Sequence, residues 1–208
     1  MATDSIEVAK TAAQYAIDHS QGRAGVVIFT DNRFAIARDK AASMAQLIDQ
    51  YNDCTLLATV DLALSTLSEE MPKTVERLVQ SYGMHWQYSL AINDLYYDHA
   101  VAALVMHGIS PQSPPVNISA GDGSPSAFFR IRTKSYQQAT VPEPLLFHGW
   151  QLVDELNRLC QGQSPSGFVT PPTLVTTDTI TSFGRDGELF DPDIGYRQQY
   201  AALWRKRR

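Results

Sequence analysis

Apolar positions follow two different periods along this chain, and the switches between them mark out its elements. Val26-Val-Ile-Phe29 is a continuous apolar, mostly β-branched run, which fits a strand buried on both faces. Cys54-Thr-Leu-Leu-Ala-Thr-Val60, Tyr88 to Ile92, Asn117-Ile-Ser-Ala120 and the short Ala139-Thr-Val141 are the other strand-like runs. Between them the spacing is helical: Ala9, Ala12, Ala13, Ala16 and Ile17 first, then Ile36, Ala37, Met44 and Leu47. Leu67 to Tyr82 and the group Ala100, Val101, Leu104 and Val105 continue it, and a short helix ending at Arg132 precedes the last strand. Strand and helix alternate five times without a hairpin. That predicts an α/β fold, a doubly wound parallel sheet with helices on both faces.

Punctuation agrees with the periods. Thr3-Asp4-Ser5 offers capping side chains before the first helix, and Gly22 to Gly25 stops it. Asn93-Asp94 ends the third strand, and Asp94 is expected to cap the helix that follows. Gly121-Asp-Gly-Ser-Pro125 must turn tightly after the fourth strand, and its two glycines permit positive φ. Beyond Pro144 the pattern changes. Gly149 to Gln161 reads as a helix with Trp150, Val153, Leu156 and Cys160 on one face, followed by a linker from Gly162 to Gly167. Phe168 to Val175 reads as an extended segment broken by Pro171-Pro172, Gly184 to Pro192 as a loop, and Tyr196 to Trp204 as a last helix.

Composition narrows the function classes. A chain of 208 residues with 44% hydrophobic content can bury one good core. Its net charge of -5 draws no nucleic acid, and the basic end Arg205-Lys-Arg-Arg208 reads as a solvated helix end. Cys54 and Cys160 form no metal-ligand pattern and read as free thiols. No run is apolar for long enough to cross a bilayer, and the first residues carry no charged-then-apolar signal pattern, so the chain as written is expected in the cytoplasm.

Every expected strand is followed by a polar loop: Asp31-Asn32, Asp61, Asn93-Asp94, Asp122 and Glu143. In a doubly wound sheet these loops share one rim, where ligands bind. Carboxylates accept hydroxyl hydrogen bonds and an amide both donates and accepts, which suits a polyhydroxylated ligand. The competing reading is that Asp and Asn follow strands because they cap helices and make turns. Catalytic readings find no support. The chain has no P-loop, no G-x-G-x-x-G and no G-x-S-x-G, and its five histidines show no paired metal spacing. No catalytic residue, metal or cofactor is expected.

The order of these motifs resembles a known family. Ala2-Thr-Asp-Ser5, Val26-Val-Ile-Phe-Thr30, Ile92-Asn-Asp94, Ser119-Ala-Gly-Asp-Gly123 and Ala139-Thr-Val-Pro-Glu143 look like the second half of a type I periplasmic sugar-binding protein of an ABC importer, the ribose-binding branch. Gly149-Trp-Gln-Leu-Val-Asp-Glu-Leu156 and Phe190-Asp-Pro-Asp-Ile-Gly-Tyr196 resemble the end of the same family. The resemblance implies two lobes joined by three crossing strands, with the first lobe and its signal peptide missing here and a periplasmic setting for the whole. Residues 1–143 would be the second, ligand-binding lobe. Residues 144–166 would be a helix and linker belonging to the first lobe, and 167–208 a return strand and tail.

The family's ligand contacts fall on Lys40, Leu62, Asn93, Asp122 and Glu143. Asn93 and Asp122 keep the sugar-binding pattern. Lys40 stands where arginine is usual, losing the planar fork but keeping the positive charge; Glu143 stands where glutamine is usual and adds an acid, so a cationic ligand becomes as plausible as a neutral sugar. Leu62 and Gly121 replace positions often aromatic; Tyr96 and Phe34 are the candidates to restore an aromatic wall, against the competing and favoured reading that each belongs partly to the core.

The implied function is binding of a sugar or cyclitol-like molecule without turnover, with an ABC permease as partner. The alternatives are the effector domain of a sugar-responsive repressor, or a small sugar- or nucleotide-modifying enzyme on the same kind of sheet. In the family the 149–161 helix packs on the first lobe. Here its apolar stripe is expected to pair with a second copy of the chain, in preference to docking on its own lobe or staying disordered.

Overall fold

In a computed structural model the chain is described over residues 2–183 and 189–206. Part of the expected 184–192 loop and the end of the basic tail lie outside these residues. A six-stranded sheet runs in the order β3 (Cys54–Asp61), β2 (Ala24–Thr30), β4 (Tyr88–Ala91), β5 (Val116–Ser119), β6 (Ala139–Thr140) and β8 (Val175–Thr176). The first five are parallel, and β8 joins β6 antiparallel through Ala139↔Thr176 and Thr140↔Val175. The α/β expectation is met, with this one antiparallel edge added. All seven residues of β2 are buried, as its unbroken apolar run requires of a strand covered on both faces.

Helices α1 (Ser5–His19), α2 (Ala35–Ile48), α3 (Leu67–Tyr82), α4 (Leu95–Met106) and α5 (Pro125–Arg132) connect the strands. Asp4 caps α1, its Oδ1 accepting from the amides of Ile6 at 2.9 Å and Glu7 at 3.2 Å. The buried side chains of α1 are mostly alanines, which lets it pack closely against α2. The chain passes from β2 to β3 on one side and returns to β4 on the other. The carboxyl ends of β2 and β4 therefore flank a switch point, where doubly wound sheets form their ligand crevice.

Asp94 departs from expectation. Its side chain does not cap α4; Asn93 takes that task, its Oδ1 accepting from Leu95 N at 2.8 Å. The Asp94 side chain is drawn inward by donors from distant segments.

Two further features lie outside the main sheet. Strand β1 (Ala2–Thr3) pairs in parallel with β7 (Val169–Thr170), a two-residue match that no periodicity reveals. Helix α6 spans Leu145–Cys160, starting four residues before Gly149, directly after Pro144. Helix α7 (Tyr196–Lys206) lies against it: Trp204 stacks on Trp150 at 5.3 Å, Tyr196 lies 4.7 Å from Phe147, and Trp204 Nε1 donates to Asp154 Oδ1 at 2.9 Å. Trp150, expected on an unpartnered stripe, is therefore covered by the chain's own last helix. Val153, Leu156 and Cys160 of that stripe stay exposed, joined by Leu145, Leu152 and Leu159.

Candidate ligand-binding site

The strand-end loops form one rim, following the strand order from Asp61 to Glu143. At the β3 and β2 end, Asp61 Oδ1 accepts from Asn32 N at 2.9 Å, tying the two loops together. Asp31 is fully buried. Its carboxylate takes a two-pronged pair from Arg33, Nε to Oδ1 at 2.9 Å and Nη2 to Oδ2 at 2.6 Å, and also accepts from Leu64 N at 2.9 Å. The Arg33 hydrogen bonds hold the Asp31 pKa well below the usual carboxylate range.

Across the switch point, Asn93 Nδ2 donates to Asp122 Oδ2 at 2.5 Å. Asp122 keeps contact with solvent, yet the protein atoms crowding its carboxyl raise its pKa, while the Asn93 hydrogen bond pulls the other way. Lys40 reaches the same place from α2. Its buried Nζ donates to Ala120 O and to Glu143 Oε1, each at 3.0 Å. Asn93, Asp122, Lys40 and Glu143 thus converge on one end of the sheet. The geometry can bind hydroxyls: it offers a carboxylate and an amide already in register, beside an ion pair that orients Glu143.

Two candidates are placed differently. Tyr96 is completely buried, its ring stacked on Phe29 at 5.8 Å and its hydroxyl donating to Leu62 O at 3.0 Å. Its position in the first turn of α4 points it into the core, so it presents no ring face at the rim. Leu62 is also buried. The ring that the rim does expose is Phe34, 49% exposed, with the Arg33 guanidinium 5.6 Å from its centroid. Arg33 was missed as a candidate, although a charged residue in the Thr30-Asp-Asn-Arg33 strand-end loop is a legible signal.

In fold, the chain is similar to one lobe of the solute-binding proteins of ABC transporters. Among solved structures, this chain is similar to a periplasmic solute-binding protein from Actinobacillus succinogenes 130z with bound D-allose, with a TM-score of 0.77 and 14% identity over 88% of this chain and 63% of that one. It is also similar to the periplasmic component of the arabinose transporter from Shewanella sp. ANA-3 bound to L-arabinofuranose, with a TM-score of 0.72 and 19% identity over 97% of this chain and 63% of that one. A galactofuranose-binding protein gives a TM-score of 0.73 at 18% identity, over 86% of this chain and 61% of that one. The chain thus spans less than two thirds of the length of each neighbour. No protein-family model matches it, and no curated protein matches it by sequence. Among the described residues no helix is long and apolar enough to cross a membrane.

Proposed function

We propose that this chain is a partial solute-binding component of an ABC-type sugar importer, which binds a sugar or cyclitol-like molecule at its strand-end rim without turnover. The observation that carries the reading is the hydrogen-bonded pair of Asn93 and Asp122, set beside Lys40 and Glu143 at the carboxyl ends of β4, β5 and β6. The fold supports it, because its solved neighbours include proteins with bound D-allose, L-arabinofuranose and myo-inositol. Lys40 neutralises Glu143 and Asp31 neutralises Arg33, while the Asp122 carboxylate is met by the neutral Asn93 amide, which disfavours an anionic ligand and suits a polyol's hydroxyl donors. The division into a ligand-binding lobe over 1–143, a helix and linker over 144–166 and a return segment over 167–208 belongs to this reading. So do a permease partner, a periplasmic setting and self-pairing through the 149–161 helix.

Asp122 is exposed at the rim, whereas enclosing sites bury roughly 70–90% of a ligand's surface. If an enclosed site of this chemistry bound at about 1 μM, keeping half of that free energy leaves about 1 mM. Titration of the purified chain with D-allose, L-arabinose and myo-inositol, followed by NMR, tests the reading. Shifts confined to the rim and lost in Asp122→Ala are expected. Shifts elsewhere, or none with any of the three, would overturn it.

A further inference from the structure

Asp94 follows Asn93 at the end of β4, where a strand-end carboxylate ordinarily faces solvent. Here the residue is 1% exposed, and its carboxylate collects five donors. Oδ1 accepts from Gln137 Nε2 at 2.9 Å, from Thr140 Oγ1 at 3.0 Å and from the Ser119 hydroxyl. Oδ2 accepts from the backbone amides of Gly123 at 2.7 Å and Ser124 at 3.2 Å. The donors are themselves oriented. Gln137 Oε1 accepts from Arg130 Nε at 3.0 Å, which turns the Gln137 amide nitrogen toward Asp94. The acceptor capacity of one carboxylate is thereby filled from inside the protein.

We propose that Asp94 is the positioning residue of the rim: its carboxylate serves as an internal anion around which the Gly121–Ser124 turn is shaped, and so holds Asp122 against Asn93. The consequence for ligand rests on the reading of Asn93 and Asp122 as ligand contacts; the geometric claim stands apart from it. The turn grips Asp94 on both sides of Asp122. On one side a Cβ at Gly121 would lie 2.7 Å from Asp94 N and 2.9 Å from its Cγ, so only glycine lets the backbone come this close. On the other side Gly123, at φ +68°, and Ser124 turn their amides onto Oδ2. Asp122 is bracketed between these points. Its partner Asn93 is the residue directly before Asp94 in the chain, so both ends of the Asn93–Asp122 hydrogen bond are anchored to Asp94. The Asp94 charge also helps to raise the Asp122 pKa. A carboxylate is suited to this task because charge-assisted hydrogen bonds to backbone amides are stronger than neutral ones.

Asp94→Gly removes the carboxylate and leaves its donors around a gap matched in chemistry to formate. The readout is NMR of the full chain without sugar: the Asn93 side-chain NH2 signal and hydrogen exchange at the Gly123 and Ser124 amides. In Asp94→Gly the Asn93 signal should move toward that of a free amide, and the two amides should exchange at least about ten-fold faster. Formate should reverse both changes, and chloride at equal ionic strength should not. A folded Asp94→Gly chain with unchanged signals, or one that formate leaves altered, overturns the proposal.

If Asp94→Gly does not fold even with formate, Asp94→Asn is decisive. It keeps the shape and one acceptor oxygen, and should show faster Gly123 and Ser124 exchange; signals identical to the unaltered chain overturn the proposal. Failure of the unaltered chain to bind D-allose, L-arabinose or myo-inositol would count against the proposed function alone, since these signals need no sugar.

Discussion

At the scale of single residues, the rim is a set of charges each held by a particular partner. Asp122 has the most consequential environment. Because its pKa in the folded chain lies above the ordinary 3.8, ionised Asp122 costs stability, and that cost disappears as the pH falls through the folded pKa. Ligand binding runs the opposite way. A sugar hydroxyl donates to the carboxylate, so affinity should fall as Asp122 takes up its proton, starting at a higher pH than an ordinary aspartate would show. Asn93→Ala removes the hydrogen bond that opposes the rise. It should shift the Asp122 midpoint further up and weaken sugar binding by about 0.5–1.5 kcal/mol, the value of a neutral amide–hydroxyl hydrogen bond. A carboxyl-carbon NMR titration gives the first and calorimetry the second; a midpoint unmoved or lowered in Asn93→Ala would contradict the assignment.

Among the elements, the turn between β5 and α5 has little room to change. Its placement after the fourth strand, and its need for two glycines, were readable from Gly121-Asp-Gly-Ser-Pro125. The reason for Gly121 was not, because it depends on Asp94 from another loop. Gly121→Ala should push the turn off Asp94 and cost about 1–3 kcal/mol, as overpacking of a tight site does. Urea unfolding measures this, and unchanged stability would mean that the contact yields freely. Helix α6 shows the same limit of local reading. Its periodicity was visible, but its start at Leu145 and the stacking of Trp204 on Trp150 depend on what packs beside it.

For the whole molecule, the open question is what meets the exposed side of α6. Leu145, Leu152, Leu156 and Leu159 are 49%, 52%, 59% and 61% exposed. With Gly149 they follow the 4-3-4-3 spacing of a helix-to-helix seam, and Gly149 has open space where a partner's side chain would enter. A second copy supplies a matching stripe. The chain is therefore expected to run as a dimer in light scattering at tens of micromolar, and Leu152→Glu should return it to a monomer. Trp150→Glu is a poorer probe, because Trp150 packs against α7. A monomer unaffected by Leu152→Glu would sink the pairing.

The sequence by itself determined the alternation of strands and helices and the strand-end placement of Asn93, Asp122 and Glu143. These follow from hydrophobic period and turn chemistry, which act over a few residues. It also carried the Asp4 cap, which is equally local. Only the tertiary structure decided which charges neutralise one another. Lys40 meets Ala120 and Glu143 across 80 and 103 residues of chain, and Asp94 meets donors up to 46 residues away. It also decided that Tyr96 faces the core, that β1 finds β7, and that α7 covers Trp150. A buried charge or ring is assigned by whichever partner satisfies it at least cost once the chain has folded, and that partner is set by the packing of whole elements.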